Sequence, residues 1–220
     1  MKHTKYLSSI MLGAILAFGG AGAYAAGTAD MQVSAKFVPK SVCSATIQAI
    51  DFQGFGKEEI DVNGHVKTKN QALTVGCSED TVFWVKVDDQ NPDDVTGNIG
   101  SAKMEDLFGM HDDSGSGNAV KAAYTIKLNQ QDSDVSSISQ FRIMKEGGAW
   151  EFKDNNAAIS NGSQFAYRYI GEGAYLAPSK PKNTAVYGIQ ADLYVDRDSV
   201  ASATTDVDLT VGATFTVMYP

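Results

Sequence analysis

The sequence predicts an all-β fold, a β-sandwich, and three observations carry that prediction. From Val207 to Tyr219 apolar residues take every second place (Val207, Leu209, Val211, Ala213, Phe215, Val217, Tyr219), while Asp208, Thr210, Gly212, Thr214 and Thr216 fill the other register. Successive side chains of a strand point to opposite faces, so this stretch reads as one long strand with one buried face. Tyr187, Ile189, Ala191, Leu193 and Val195 alternate almost as regularly. Eight or nine such runs are separated by turn-forming residues, and none keeps a helical period beyond a turn or two.

The chain begins with an export signal, predicted over residues 1–25. Lys2 and Lys5 make a basic start, Ile10 to Phe18 is an apolar run too short to span a bilayer, and Ala23-Tyr24-Ala25 gives a small-x-small cleavage pattern. Cleavage is expected after Ala25 or Ala26. The whole chain carries 18 Lys and Arg against 26 Asp and Glu, a formal net charge of -8. Losing Lys2 and Lys5 makes the mature protein more acidic still, which argues against nucleic acid or anionic lipid as a partner. The rest is long enough for one domain with a substantial core. Its only cysteines, Cys43 and Cys77, most simply form one disulfide in an oxidising compartment, worth roughly 3–4 kcal/mol on the chain-entropy model.

In chain order, Ala29, Met31, Val33, Ala35 and Phe37 share one register behind the cleavage point and read as a strand, ended by Pro39, which has no N–H to donate. Ser44 to Ile50 alternates again, and the Gly- and charge-rich Asp51 to Lys69 reads as loop with a short strand near Glu59 to Val62. Leu73, Val75 and Cys77 lie on one face of a strand. Val82 to Val87 is apolar on both sides, with Trp84 opposite Phe83, Val85 and Val87, which points to a central or covered strand. Asp88 to Ser116 reads as polar surface turns. Val120 to Leu128 forms a strand, Phe141 to Met144 and Trp150 to Phe152 a hairpin, and Phe165 to Ile170 another strand. Ala174 to Asn183 is expected to be loop, and Asp196 to Thr205 the turn before the last strand.

The order of these features carries a resemblance. Ala29-Asp30-Met31-Gln32-Val33, then Cys43, Ile50-Asp51-Phe52, Leu73-Thr74-Val75-Gly76-Cys77, and an alternating C-terminal strand with Tyr219 penultimate are similar to chaperone-usher pilins. More narrowly they resemble a group of β-fimbrial major subunits catalogued as a domain of unknown function. The resemblance implies an incomplete immunoglobulin-like sandwich (residues 39–220) that a donor strand from a neighbouring subunit completes. It makes residues 26–38 the donor extension, with knobs Met31, Val33, Ala35 and Phe37, the small Ala35 fixing register. Val207 to Tyr219 becomes the edge that accepts first a strand of a periplasmic chaperone and then the next subunit. An outer-membrane usher is the other implied partner, and the implied location is a fimbrium at the cell surface. Where many members place a glycine near the C-terminus, this chain has Val207, and glycine follows at Gly212.

No catalytic centre, cofactor or metal is expected. His65 and His111 sit in no metal-type pair, and the acidic pairs Asp88-Asp89, Asp93-Asp94 and Asp112-Asp113 lack the spacing of a calcium loop. Trp84 and Trp150 read as core and hairpin residues rather than sugar platforms. The rival function is a self-contained secreted sandwich acting as a carbohydrate-binding module or adhesin.

Overall fold

The computed structural model describes residues 24–28, 42–112, 120–131, 138–170, 172, 178–179, 181–202 and 209–219. Among these residues thirteen strands fall in two antiparallel sheets. The first sheet holds β1 (Tyr24–Thr28), β13 (Ala213–Tyr219), β4 (Trp84–Asp89), β10 (Gln164–Tyr169), β7 (Ile138–Met144) and β8 (Trp150–Lys153), in that spatial order. The second runs β12 (Leu209–Val211), β5 (Leu107–Asp112), β6 (Ala122–Gln130), β11 (Lys182–Val195), β3 (His65–Thr81) and β2 (Cys43–Thr46). A short β9 (Ala157–Ile159) follows β5 along the same edge of β6.

The second sheet is built on its two longest strands. β11 pairs with β3 from Lys182↔Thr81 to Tyr194↔His65 and with β6 from Tyr187↔Gln130 to Val195↔Ala122. The alternation of Tyr187, Ile189, Ala191, Leu193 and Val195 is what places it there. All five are buried against the first sheet, each stabilising the fold by roughly 1.5–3 kcal/mol if large. Between them Asp192 is also buried, on the opposite face. Lys127 Nζ donates to it at 2.7 Å and Thr68 Oγ1 at 2.6 Å, so the buried charge is matched from both neighbouring strands.

Aromatic rings join the sheets. Tyr167 of β10 stacks on Tyr187 of β11 at 4.5 Å and on Phe141 of β7 at 5.1 Å, and its hydroxyl donates to the Val186 carbonyl at 2.6 Å. Phe165 meets Tyr187 edge-on at 5.2 Å. The polar tip is satisfied while the ring stays in the core.

Several expectations are corrected. His65 to Lys69 belongs to β3 rather than to a loop, because it pairs along β11 from Lys69↔Ala191 to His65↔Tyr194; Lys57–Glu59 is a 3₁₀ turn, not a strand. The polar stretch after Asp88 contains β5 and a second small core of Val95, Ile99, Ala102, Leu107 and Ala123 on the outer face of the second sheet. Asp89 organises that stretch by accepting N–H bonds from Asn91 and Gly109, while burial pushes its carboxyl up. Arg197–Ser202 forms a short helix, α1, where only a turn was expected. Trp84 is not core. Val85 and Val87 face inward, which puts Trp84 on the outer face, where it meets Trp150 edge-on at 6.3 Å. The expected hairpin from Phe141 to Phe152 is present as β7 and β8. Of the predicted signal, only Tyr24 and Ala25 lie within the described residues.

On the outer face of the first sheet Arg142 is fully buried beside Phe152 and pairs with Glu172 at 3.0 Å. Burial pushes the Glu172 carboxyl up. Hydrogen bonds from the Tyr169 N–H and from Ser179, with the Arg142 charge, outweigh burial and hold it below the usual range. A depressed folded value stabilises the protein above the unfolded value of about 4.3, and that stability disappears as pH falls through the folded value. Glu172→Gln removes the carboxylate charge from beside the buried Arg142, so urea unfolding should show a loss of about 3 kcal/mol at neutral pH. The gap to the wild type should narrow below about pH 4.

Candidate functional site

On one side of the sandwich two sheet edges face each other, and neither is long. From the second sheet comes β2, whose Cys43 lies directly opposite Cys77 of β3 and is joined to it by a disulfide, the Cα atoms 4.0 Å apart. The expected pairing of the two cysteines is therefore present. β2 keeps its ladder for only four residues. The strand expected to continue to Ile50 ends at Thr46. Beyond it Ile47 and Ile50 still pack on the core as half-buried residues, and Phe52 is buried. The chain then turns at Gln53, whose N–H is held by Asp51 Oδ1 at 2.7 Å.

From the first sheet comes β13, with Phe215, Val217 and Tyr219 buried. The single long strand expected from Val207 to Tyr219 is two strands. Leu209–Val211 pairs with β5 in the second sheet, and Ala213–Tyr219 pairs with β4 in the first. The change of sheet occurs at Gly212. Its carbonyl accepts the Gln90 N–H at 3.0 Å, and a Cβ there would collide with the Gln90 side chain, which is itself held by Thr214 at 2.9 Å. A residue with no side chain lets the two backbones approach. Alternation of period two is blind to such a switch, because the inward face stays inward in either sheet.

Among the described residues, the other edge of β13 is paired from Thr216 to Tyr219, by β1, with a register shift between Ala25 and Gly27. Along Ala213 to Phe215 it borders a cavity of about 180 Å³ that opens between the sheets. Ile47, Ile50 and Phe52 form one wall, Ala213 and Phe215 the other, and Tyr124, Ile126, Ile189 and Ala191 the floor. Among the described residues that line it there is no Asp, Glu, Lys, Arg or His. Burial, helped by the Asp89 charge, pushes the Tyr124 phenol far up, so it stays neutral, and burial raises Tyr219 likewise. This site can take apolar side chains and offer backbone hydrogen bonds along one strand edge.

The structure brings Ala213 and Phe215 to the cavity and leaves Val217 and Tyr219 under β1, with Leu209 and Val211 in the other sheet. Val207, Met31, Val33, Ala35 and Phe37 lie outside the described residues. Sequence reasoning missed the wall at Ile47 to Phe52 and the floor from Ile126 and Ile189. The signal was there in the apolar spacing after Cys43, but periodicity does not say where a strand leaves its ladder. Elsewhere, His65 bonds to Thr68 at 3.1 Å and His111 pairs with Asp94 at 3.1 Å. Asp88 pairs with Lys86 at 2.6 Å. Among the described residues no three His, Cys, Asp or Glu side chains gather closely enough to hold a metal ion.

Because β2 is short and leads straight into the cavity wall, the disulfide should govern the site. Replacing Cys43 and Cys77 together by Ser is expected to lower the thermal midpoint by about 10 °C. It should also raise amide exchange first in β2 and its continuation, read by hydrogen–deuterium exchange. In comparisons with known proteins, the chain matches no family model and no curated protein.

Proposed function

We propose that the protein is a structural fimbrial subunit, assembled by a chaperone-usher pathway through donor-strand exchange and contributing to surface adhesion. The observation that carries this reading is the edge of β13. From Ala213 to Phe215 it runs beside an uncharged apolar cavity, and its remaining length is covered by only five residues of β1. An incomplete sandwich of the immunoglobulin type would present such an edge, and a strand added there gains main-chain hydrogen bonds and places alternate side chains in the core. The donor is residues 26–38, led by Met31, Val33, Ala35 and Phe37. A periplasmic chaperone occupies the edge first, an outer-membrane usher hands the subunit on, and neighbouring subunits replace the chaperone. Because each contact is head to tail and does not close, the product is a fibre. The role needs no cofactor. The predicted signal and the disulfide fit export through an oxidising compartment.

The rival reading, a self-contained carbohydrate-binding sandwich, draws on the outer-face pair Trp84 and Trp150. Glycan binding by the monomer, lost in Trp150→Ala, would favour it.

Two experiments test the proposal. In the first, the protein starting at Pro39 is melted with and without residues 27–38 fused after Pro220 through a flexible linker. The fusion should raise the midpoint by more than about 10 °C and remove aggregation; equal midpoints would mean the sandwich needs no added strand. In the second, Ala35→Trp should abolish polymer growth while leaving chaperone binding intact, read by size-exclusion chromatography and pull-down.

A further inference from the structure

Where along β13 a strand from a neighbouring subunit sits is set by the sizes of the inward residues and by the cavity. Resting on the strand exchange proposed above, we infer that residues 31–37 of a second copy dock in one register, with Phe37 seated in the cavity beside Ala213. The inward residues of β13 read Tyr219, Val217, Phe215, Ala213, and the cavity opens at the small end. An antiparallel strand, running as β1 runs, opposes them with residues that share the same face. Met31, Val33, Ala35 and Phe37 come in that order. Met31 opposite Tyr219 puts Val33 on Val217, the small Ala35 on the large Phe215, and the large Phe37 on the small Ala213. The ring then lies over Ile47, Phe52, Ile126 and Ile189.

The neighbouring registers keep the alternation but fail on size. Sliding two residues one way sets Ala35 on Ala213, leaves the cavity empty and carries Phe37 past Gly212, where the chain has left the sheet. Sliding the other way sets Phe37 against Phe215, ring on ring, again with the cavity unfilled. Empty volume and overpacking are both destabilising.

Phe37 of a second copy reaches the cavity more directly than Phe37 of the same chain, which would have to double back. β2 runs from Cys43 toward Ile47, in the direction the added strand would run, and Ile47 lines the cavity. Val42 therefore lies five residues, about 16 Å, back along the sandwich from Ile47. Phe37 and Val42 are joined by Val38-Pro39-Lys40-Ser41, which spans at most about 18 Å fully extended and would have to reverse direction twice. From a second copy no reversal is needed: the strand leaves the far end of the acceptor groove and continues straight into β2 of its own sandwich. β1, paired with Thr216 to Tyr219, occupies the places of Met31 and Val33; the expected cleavage after Ala25 or Ala26 removes its pairs with Tyr219 and Met218, and the remaining pairs at Gly27 and Thr28 must be displaced.

Directly opposed residues of this kind can be joined by a disulfide. The assembled full-length protein is prepared with Ala213→Cys together with Phe37→Cys, Ala35→Cys or Met31→Cys, oxidised and run without reductant, with peptide mapping to show that Cys43–Cys77 is kept. A ladder of covalent multimers with Phe37→Cys, and its loss with the other two, is the expected result. A ladder with Ala35→Cys or Met31→Cys instead overturns the register while leaving strand exchange standing. A cross-link confined to monomers, or none at any position, overturns both. As a second readout, Ala213→Phe should stop polymer growth and Ala213→Phe with Phe37→Ala should restore it; growth unaffected by Ala213→Phe would overturn the seating of Phe37.

Discussion

A sandwich must close on both sides, and here the side between β2 and β13 constrains everything near it. Each sheet presents an edge there. One is four residues long and fastened by Cys43–Cys77, and the other is paired along half its length by β1. Phe215, Val217 and Tyr219 are nevertheless buried to within a few per cent, so the apolar cost of leaving this side open has been met only in part. The shortfall appears as the cavity, bounded by a loop from one sheet and a strand from the other. A strand edge beside unfilled apolar volume is the condition under which a protein gains most from one more strand.

The rest of the molecule is rigid in the places that this side needs. β11 is flanked on both edges by long partners, and its inward residues form the cavity floor at Ile189 and Ala191. Tyr167, held between Phe141 and Tyr187 and bonded through its hydroxyl, fixes the spacing of the sheets at the centre of the core. A floor of this kind does not collapse to fill the gap. By contrast β1 is held by a four-pair ladder broken by a register shift, so local opening is expected to begin there and not in β11.

How much of this was legible in the sequence follows from what alternation encodes. Strands with one dry face, β11 and β13 above all, were read with the right inward residues, as was the β7–β8 hairpin with its glycine turn. The disulfide followed from cysteine count and export. What failed has a common cause: period two reports a face, never a sheet. Leu209 and Phe215 share one unbroken pattern and lie in different sheets, and Trp84, set on the face opposite Val85 and Val87, was expected to be core although that face is the outer one. The polar stretch after Asp88 was misread for another reason. Its order comes from a carboxylate, Asp89, bonding backbone groups twenty residues apart and less, and from five small or aliphatic residues that have no period at all. The cavity was not legible, since its floor, walls and mouth come from β6, β11, β13 and the segment after β2, which only the fold assembles.

Under the proposed strand addition, the switch of sheets at Gly212 answers a difficulty inherent in such pairing. An alternating strand can slide by two residues and keep every apolar side chain facing inward, so alternation alone cannot specify register. Had β12 and β13 been one continuous strand, the edge would have run on past Ala213, and several registers would have been close in energy. By sending Leu209 to Val211 into the other sheet, the chain cuts the edge to seven residues and places a small residue and a cavity at its end. A strand arriving there meets a stop in its hydrogen-bond ladder and a volume that only a large side chain fills. Position is then set by two independent physical terms, ladder length and size matching, where the pattern of the sequence supplies only the face.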